Sequence, residues 1–131
     1  MSHIKKEVAL LGATGSIGDS TCAILRKHPG RFNLFAFSAH KNWKKAHQLI
    51  EEFHPKHVVI TDESSYLSLK DVLKDQSVAL HCGLPVLDEL VQVDEIDLVV
   101  AGIVGSAGMA SVLSATQAGK TLLLANKESI V

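Results

Sequence analysis

The residues with the clearest chemical capacity stand in one run near the start, Gly12-Ala13-Thr14-Gly15-Ser16-Ile17-Gly18, with glycines at its first, fourth and seventh positions. Glycines so spaced permit a tight turn, let backbone N–H groups come close to a phosphate, and let the following helix pack closely on a sheet. A helix that begins directly after such a turn offers unpaired N–H groups and the positive end of its dipole to an anion. Thr14 and Ser16 add hydroxyl donors. The ligand chemistry this predicts is a pyrophosphate, and hence a dinucleotide. The spacing is GxxGxxG rather than the more frequent GxGxxG, and a tight glycine turn that holds nothing is the competing interpretation. Asp19 brings a negative charge close by; with Ser16 it forms an S-x-x-D pattern expected to cap the helix.

The residues that end the second strand of such a unit separate NAD from NADP, because NAD binders place an Asp or Glu there to bond the ribose 2′-hydroxyl. That position falls in Ser38-Ala39-His40-Lys41-Asn42, which contains no carboxylate. Lys41, with His40 and Asn42 as further donors, favours a 2′-phosphate, so NADPH is expected over NADH. Charge patterning points the same way. Thirteen Lys and Arg against fourteen Asp and Glu give a net charge of −1, unlike a dedicated nucleic-acid binder. From Ser20 to Ile50 there is no acid, while Arg26, Lys27, Arg31, Lys41, Lys44 and Lys45 supply six positive charges; the rest of the chain holds seven basic and fourteen acidic side chains. Such a patch suits a small anion better than a long polyanion. A solvated basic helix face is the plainer alternative, as a solvent-exposed loop histidine is for His40.

Two further stretches would share the rim over the carboxyl ends of the strands, where open parallel sheets bind ligands. Ala101 to Gly108, AGIVGSAG, is rich in small residues, which close cofactor approach and ordinary packing explain equally well. Asn126, Lys127 and Glu128 are three consecutive polar groups directly after the last strand; a plain exposed loop is the alternative. No metal site is expected. His40, His47 and His54 recur at seven-residue intervals with His57 just beyond, but Pro55 interrupts the helix and no acid or cysteine cluster completes a shell. Cys22 and Cys82 lack CxxC spacing and read as small core residues in a reducing compartment. No nucleophile-elbow pattern supports hydrolysis.

These groups need a scaffold, and the hydrophobic pattern supplies one. Hydrophobic residues make up 47% of the 131 and charged residues 21%, enough for a core and unlike a disordered chain. Short continuous apolar runs alternate with segments of helical period, as in parallel strands buried on both faces. The expected strands are Glu7 to Leu11, Asn33 to Ser38, His57 to Thr61, Val78 to Cys82, Leu98 to Ala101 and Thr121 to Ala125. The expected helices are Ser16 to His28, Trp43 to Phe53, Glu63 to Lys74, a short one from Pro85 to Val91, and Gly108 to Ala118. His28-Pro29-Gly30 stops the first helix, Asn42 and Asp62 read as N-caps, and Gly119 closes the last helix. The expectation is one α/β domain over 1–131: a Rossmann-like, doubly wound, mainly parallel sheet with helices on both faces. The N-terminus has no signal-peptide pattern and no apolar run approaches a membrane span, so a cytoplasmic location without membrane association is expected.

At this level of detail the chain resembles the 1-deoxy-D-xylulose 5-phosphate reductoisomerase family. GATGSIG resembles the family's G-S/A-T-G-S-I-G loop, AHKN at 39–42 its A-G-K-N turn, and IVGSAGMASVLSATQAGKTLLLANKESIV its most distinctive block. The resemblance implies that Thr14, Gly15, Ser16 and Ile17 meet the NADPH phosphates and that Lys41 and Asn42 meet the 2′-phosphate. It further implies that Asn126 and Glu128 contact the cofactor and that Lys127 contacts a sugar-phosphate substrate. His40 departs from the pattern, standing where the family often has glycine; its imidazole adds a partial charge near neutral pH that bears on NADPH affinity. In the family, 1-deoxy-D-xylulose 5-phosphate is rearranged to an aldehyde and reduced by NADPH to 2-C-methyl-D-erythritol 4-phosphate, in non-mevalonate isoprenoid biosynthesis. A divalent cation, Mg²⁺ or Mn²⁺, assists. The metal carboxylates and covering loop would follow Val131, so the resemblance implies an NADPH-binding domain with no catalytic residue of its own, binding cofactor without turnover, from a homodimeric enzyme.

Two other functions compete: a different GxxGxxG NADP enzyme, such as an aspartate-semialdehyde dehydrogenase-like protein with a catalytic cysteine in a later region, and a non-catalytic dinucleotide sensor. The ANKES block at 125–129 favours the reductoisomerase.

Overall fold

The computed structural model describes residues 5–73, 77–101 and 121–124. Strands and helices alternate: β1 (Lys6–Leu11), α1 (Ser16–Lys27), β2 (Phe32–Ala39), α2 (Trp43–Phe53), β3 (His57–Ile60), α3 (Glu63–Val72), β4 (Ala79–Cys82), α4 (Leu84–Leu90), β5 (Leu98–Ala101) and β6 (Thr121–Leu124). These elements match the sequence expectation to within a residue or two. The expected helix from Gly108 to Ala118 and its closing Gly119 lie outside the described residues. The strands form one sheet in the order β4-β3-β2-β1-β5-β6, every pair parallel. The order reverses at β1, which therefore marks the switch point where such sheets open a ligand crevice.

Burial on both faces explains why the strands read as unbroken apolar runs. One core layer joins Val8, Leu10, Leu34, Phe37, Val58 and Ile60 of the sheet to Cys22 and Leu25 of α1, Ala46, Leu49 and Ile50 of α2, and Leu69 of α3. The opposite layer joins Ala9, Leu11, Phe35, Val59 and Val99 to Leu87 and Leu90 of α4. A register shift between Val8 and Ala9 sets two steps of β2 against one of β1, since Val8 faces Leu34 and Ala9 faces Ala36. This bulge at Phe35 puts Phe35 and Ala36 in the same layer and returns Phe37 to the layer of Leu34.

The punctuation read from the sequence has its physical counterpart. Asn42 caps α2 by accepting a hydrogen bond from the Lys45 N–H at 3.2 Å, and Asp62 caps α3 by accepting from the Ser65 N–H at 3.1 Å. Asp97 locks the entry of β5: its carboxylate accepts from the Glu7 N–H and its own N–H donates to the Glu7 carbonyl, both at 2.9 Å.

Candidate cofactor-binding site

The glycine run lies between β1 and α1 at the switch point, and its three glycines have three separate reasons. Gly12 adopts φ 82°, in the left-handed region that side chains avoid. Gly18, buried in the first turn of α1, lies so close to the preceding loop that a Cβ there would stand 1.9 Å from the Ala13 carbonyl oxygen. Gly15 has neither constraint. Its backbone is extended (φ −92°, ψ −173°), open to any residue, and a Cβ would meet nothing nearer than the Gly12 oxygen at 4.0 Å. The fold itself thus requires two of the glycines, and the smallness of the middle one keeps space clear on the exposed side of the loop.

That space faces an unsatisfied helix end. Gly15 is the N-cap of α1 and makes no side-chain cap bond, so among the described residues the first-turn N–H groups have no side-chain capping oxygen. The expected Ser16-x-x-Asp19 cap is not formed; this is a correction. Asp19 instead turns across to α2 and pairs with the Lys45 ammonium, which draws its charge away from the helix entrance. Gly15 and Ser16 are exposed, Thr14 and Ile17 half-buried. Backbone donors, two hydroxyls and a neutralised acid at one helix start suit a pyrophosphate.

The second half of the site is the turn after β2, and a residue unremarked in the sequence joins it to the first. Ser38 is buried; its hydroxyl accepts from the Gly12 N–H at 3.0 Å and its carbonyl from the Ala13 N–H at 2.8 Å. The glycine loop is therefore held at both strand ends. Immediately beyond lie His40, Lys41 and Asn42, all exposed. The Lys41 carbonyl is pinned by the Trp43 N–H at 2.8 Å and the buried Ser65 hydroxyl at 3.2 Å. The Lys41 ammonium has no ion-pair partner among the described residues. Asn42 spends its side-chain oxygen on the α2 cap and keeps its amide donors.

Two electrostatic expectations need amendment. The basic stretch is less positive than its composition, since Arg26 pairs with Glu52 (Nη2 to Oε1 2.8 Å) and Lys45 with Asp19. The turn is also not free of acids: Asp62, arriving from β3, stands close enough to feel His40 and Lys41. Its carboxyl is held below the usual range chiefly by the Ser65 hydroxyl and N–H, with smaller help from the nearby His40 and Lys41 side chains. No spacing in the sequence announces that neighbour.

The four histidines weighed as a metal face go separate ways. His40 bonds Thr61 at 2.8 Å, His47 lies 3.7 Å from Glu51, His54 ends α2 in a left-handed conformation (φ 52°), and His57 meets His81 at 3.2 Å. Among the described residues no group of three or more His, Cys, Asp or Glu side chains is placed to hold a metal ion. Burial pushes the Cys22 thiol up, in keeping with a core role. None of the described helices is long and apolar enough to cross a membrane. At the far side of the rim, β5 and β6 end in register, Ala101 beside Leu124. Asn126, Lys127 and Glu128, and the AGIVGSAG stretch beyond Ala101, lie outside the described residues.

This fold and sequence recur in known proteins. The 1-deoxy-D-xylulose 5-phosphate reductoisomerase of Ruthia magnifica subsp. Calyptogena magnifica is 42% identical over 126 residues, 96% of this chain and 33% of the relative. That of Phocaeicola vulgatus is 38% identical over 128 residues, 98% of this chain and 34% of the relative. Among solved structures, the enzyme from Zymomonas mobilis in complex with NADPH aligns with a TM-score of 0.87 at 37% identity, over 97% of this chain and 33% of that one. A DOX-P reductoisomerase in complex with NADPH, fosmidomycin and magnesium aligns with a TM-score of 0.87 at 42% identity, over 95% of this chain and 31% of that one. The chain spans about a third of the length of the relatives it matches. A family model described as 1-deoxy-D-xylulose 5-phosphate reductoisomerase matches residues 8–131, nearly the whole chain, and the glycine loop and basic turn fall within that match. The chain belongs to the 1-deoxy-D-xylulose 5-phosphate reductoisomerase family.

Proposed function

We propose that residues 1–131 form the NADPH-binding domain of a reductoisomerase that converts 1-deoxy-D-xylulose 5-phosphate to 2-C-methyl-D-erythritol 4-phosphate. The observation that carries this is Gly15: a residue the fold does not need as glycine, at an uncapped helix start, tied through Ser38 to a turn bearing Lys41. In this reading Thr14, Gly15, Ser16 and Ile17 hold the pyrophosphate through backbone N–H groups and hydroxyls. Lys41, Asn42 and His40 receive the 2′-phosphate. Asn126 and Glu128 contact the cofactor, and Lys127 the phosphorylated sugar. NADPH, when bound, supplies the hydride for the reductive half of the reaction. This chain's part is to bind and orient: Ser38 ties the glycine loop to the end of β2 and Ser65 ties the Lys41 turn to α3 before ligand arrives, so less conformational freedom is lost on binding. A divalent cation, magnesium in the relatives' structures, would take its carboxylates from the two thirds of the relatives that this chain does not span. The same reading makes the working enzyme a cytoplasmic homodimer.

The test is calorimetric titration of both nucleotides. NADPH should bind at least about tenfold more tightly than NADH, as expected for charge-assisted contacts to an added phosphate. Lys41→Ala should remove most of that difference with little effect on NADH. Equal affinities in the unmutated protein would overturn the proposal.

A further inference from the structure

The fold holds the side chain of His40, the first residue of the basic turn, in a defined place. Ring Nδ1 lies 2.8 Å from Thr61 Oγ1, at the end of the adjacent strand β3, and Thr61 Oγ1 lies 3.4 Å from the Ala39 carbonyl oxygen. The Thr61 N–H also donates to that carbonyl, at 3.0 Å, which fixes the threonine's backbone against β2. Both ring forms keep the contact. The hydroxyl can donate to a neutral ring; once the ring is protonated, Nδ1–H donates to the hydroxyl, whose own proton reaches the Ala39 carbonyl. The charged form is thus accommodated without moving the side chain, and its second N–H, at Nε2, has no partner among the described residues.

The charges around this ring define what its protonation changes. Lys41 follows it on the same turn. Asp62, from the start of α3, opposes both, with its Oδ2 engaged by the Ser65 N–H and hydroxyl and by the Ser64 hydroxyl. From the first turn of α2 come Lys44, whose ammonium lies over the Trp43 ring, and Lys45, already paired with Asp19. With the ring neutral, Lys41 faces a nearby carboxylate; with the ring charged, the turn carries a net positive charge.

We propose that His40, positioned by Thr61, is a specificity-determining residue for the nucleotide 2′-phosphate, so that discrimination against a nucleotide lacking that phosphate strengthens as the imidazole gains its proton. The inference rests on the NADPH reading above.

NADPH and NADH are titrated into the full-length protein and its His40→Gln, Thr61→Val and Thr61→Ser variants at about pH 6 and pH 8. The 2′-phosphate itself titrates near pH 6, but equally for every variant, so the comparison between proteins isolates the ring. His40→Gln should bind NADPH about three- to tenfold more weakly than the unmutated protein at the lower pH, a gap that narrows at the higher pH, with NADH unchanged at both. Thr61→Val should lose most of this pH-dependent difference and Thr61→Ser should recover it, a pattern that loss of structure would not produce. If NADPH is preferred but His40→Gln tracks the unmutated protein at both pH values, the inference fails and the cofactor assignment stands. If NADPH is preferred at neither pH by any of the proteins, the cofactor assignment fails and the inference with it.

Discussion

Three glycines in seven residues do different work, and substitution by alanine separates them. Gly18→Ala forces a methyl group into the Ala13 carbonyl, and because the obstacle is backbone it cannot turn aside. Such overpacking should cost about 3 kcal/mol or more, measured by urea unfolding. Gly15→Ala meets no obstacle within the protein, so its stability should stay within about 1 kcal/mol of the original. If the loop holds the NADPH pyrophosphate as proposed, the variant's NADPH affinity should nevertheless fall at least about tenfold, because the methyl narrows the approach of a phosphate to the backbone. Weak binding without instability is the signature of a ligand-facing glycine; unchanged binding would return the loop to a purely structural role. Ser38→Ala should combine both effects. It strips the Gly12 N–H of its acceptor, at a cost of about 1–3 kcal/mol, and loosens the loop proposed to receive the pyrophosphate.

Elements are joined here by a few polar contacts whose roles can be told apart by charge. Asn42 is both the cap of α2 and a member of the basic turn. Aspartate caps as well as asparagine, so Asn42→Asp should preserve stability within about 0.5 kcal/mol while its added negative charge weakens NADPH and spares NADH. Asn42→Ala should instead lose about 1 kcal/mol of stability through the missing cap. Thermal unfolding and nucleotide titration on both variants distinguish capping from ligand contact. The exposed Arg26–Glu52 and Lys45–Asp19 pairs tie α1 to α2, yet pairs of this kind contribute only about 0–1 kcal/mol each. Their larger consequence is to leave Lys41 as the unpaired cation at the turn among the described residues, concentrating the field where a 2′-phosphate would sit.

At the scale of the whole molecule, His57 is a group of the described sheet that links stability to pH. His57 on β3 stacks with His81 on β4, ring centroids 5.4 Å apart, and Phe35 of β2 lies 5.5 Å away on the same sheet face. Burial holds the His57 imidazole below its ordinary value of 6.5, with the His81 ring and Lys56 adding to the effect and Glu95 opposing it. The unfolded chain therefore takes up this proton at a higher pH than the folded one. The resulting stabilisation is complete above the ordinary value and is lost as pH falls through the lower, folded value. The urea midpoint should drop between about pH 7.5 and pH 5.5, and His57→Gln should flatten that drop. An equal drop in the variant would assign the pH dependence to carboxylates elsewhere.

What the amino-acid order determined by itself is local. Apolar runs and helical periods placed the described strands and helices; Asn42 and Asp62 were legible as caps, and the glycine run as a tight strand-to-helix turn, because these depend on a few neighbouring residues and on backbone sterics. Lys41 was legible as a cation at the end of the second strand because only its place in the chain was needed. The bulge at Phe35, the Ser38 clasp on Gly12, the pairing of Asp19 with Lys45, the approach of Asp62 to Lys41 and the seating of His40 on Thr61 were decided only by tertiary structure. Apart from the bulge, which is a matter of strand register, each joins residues some twenty or more positions apart. Which strands become neighbours, and in what register, is set by burial of two faces at once, and no local spacing encodes it.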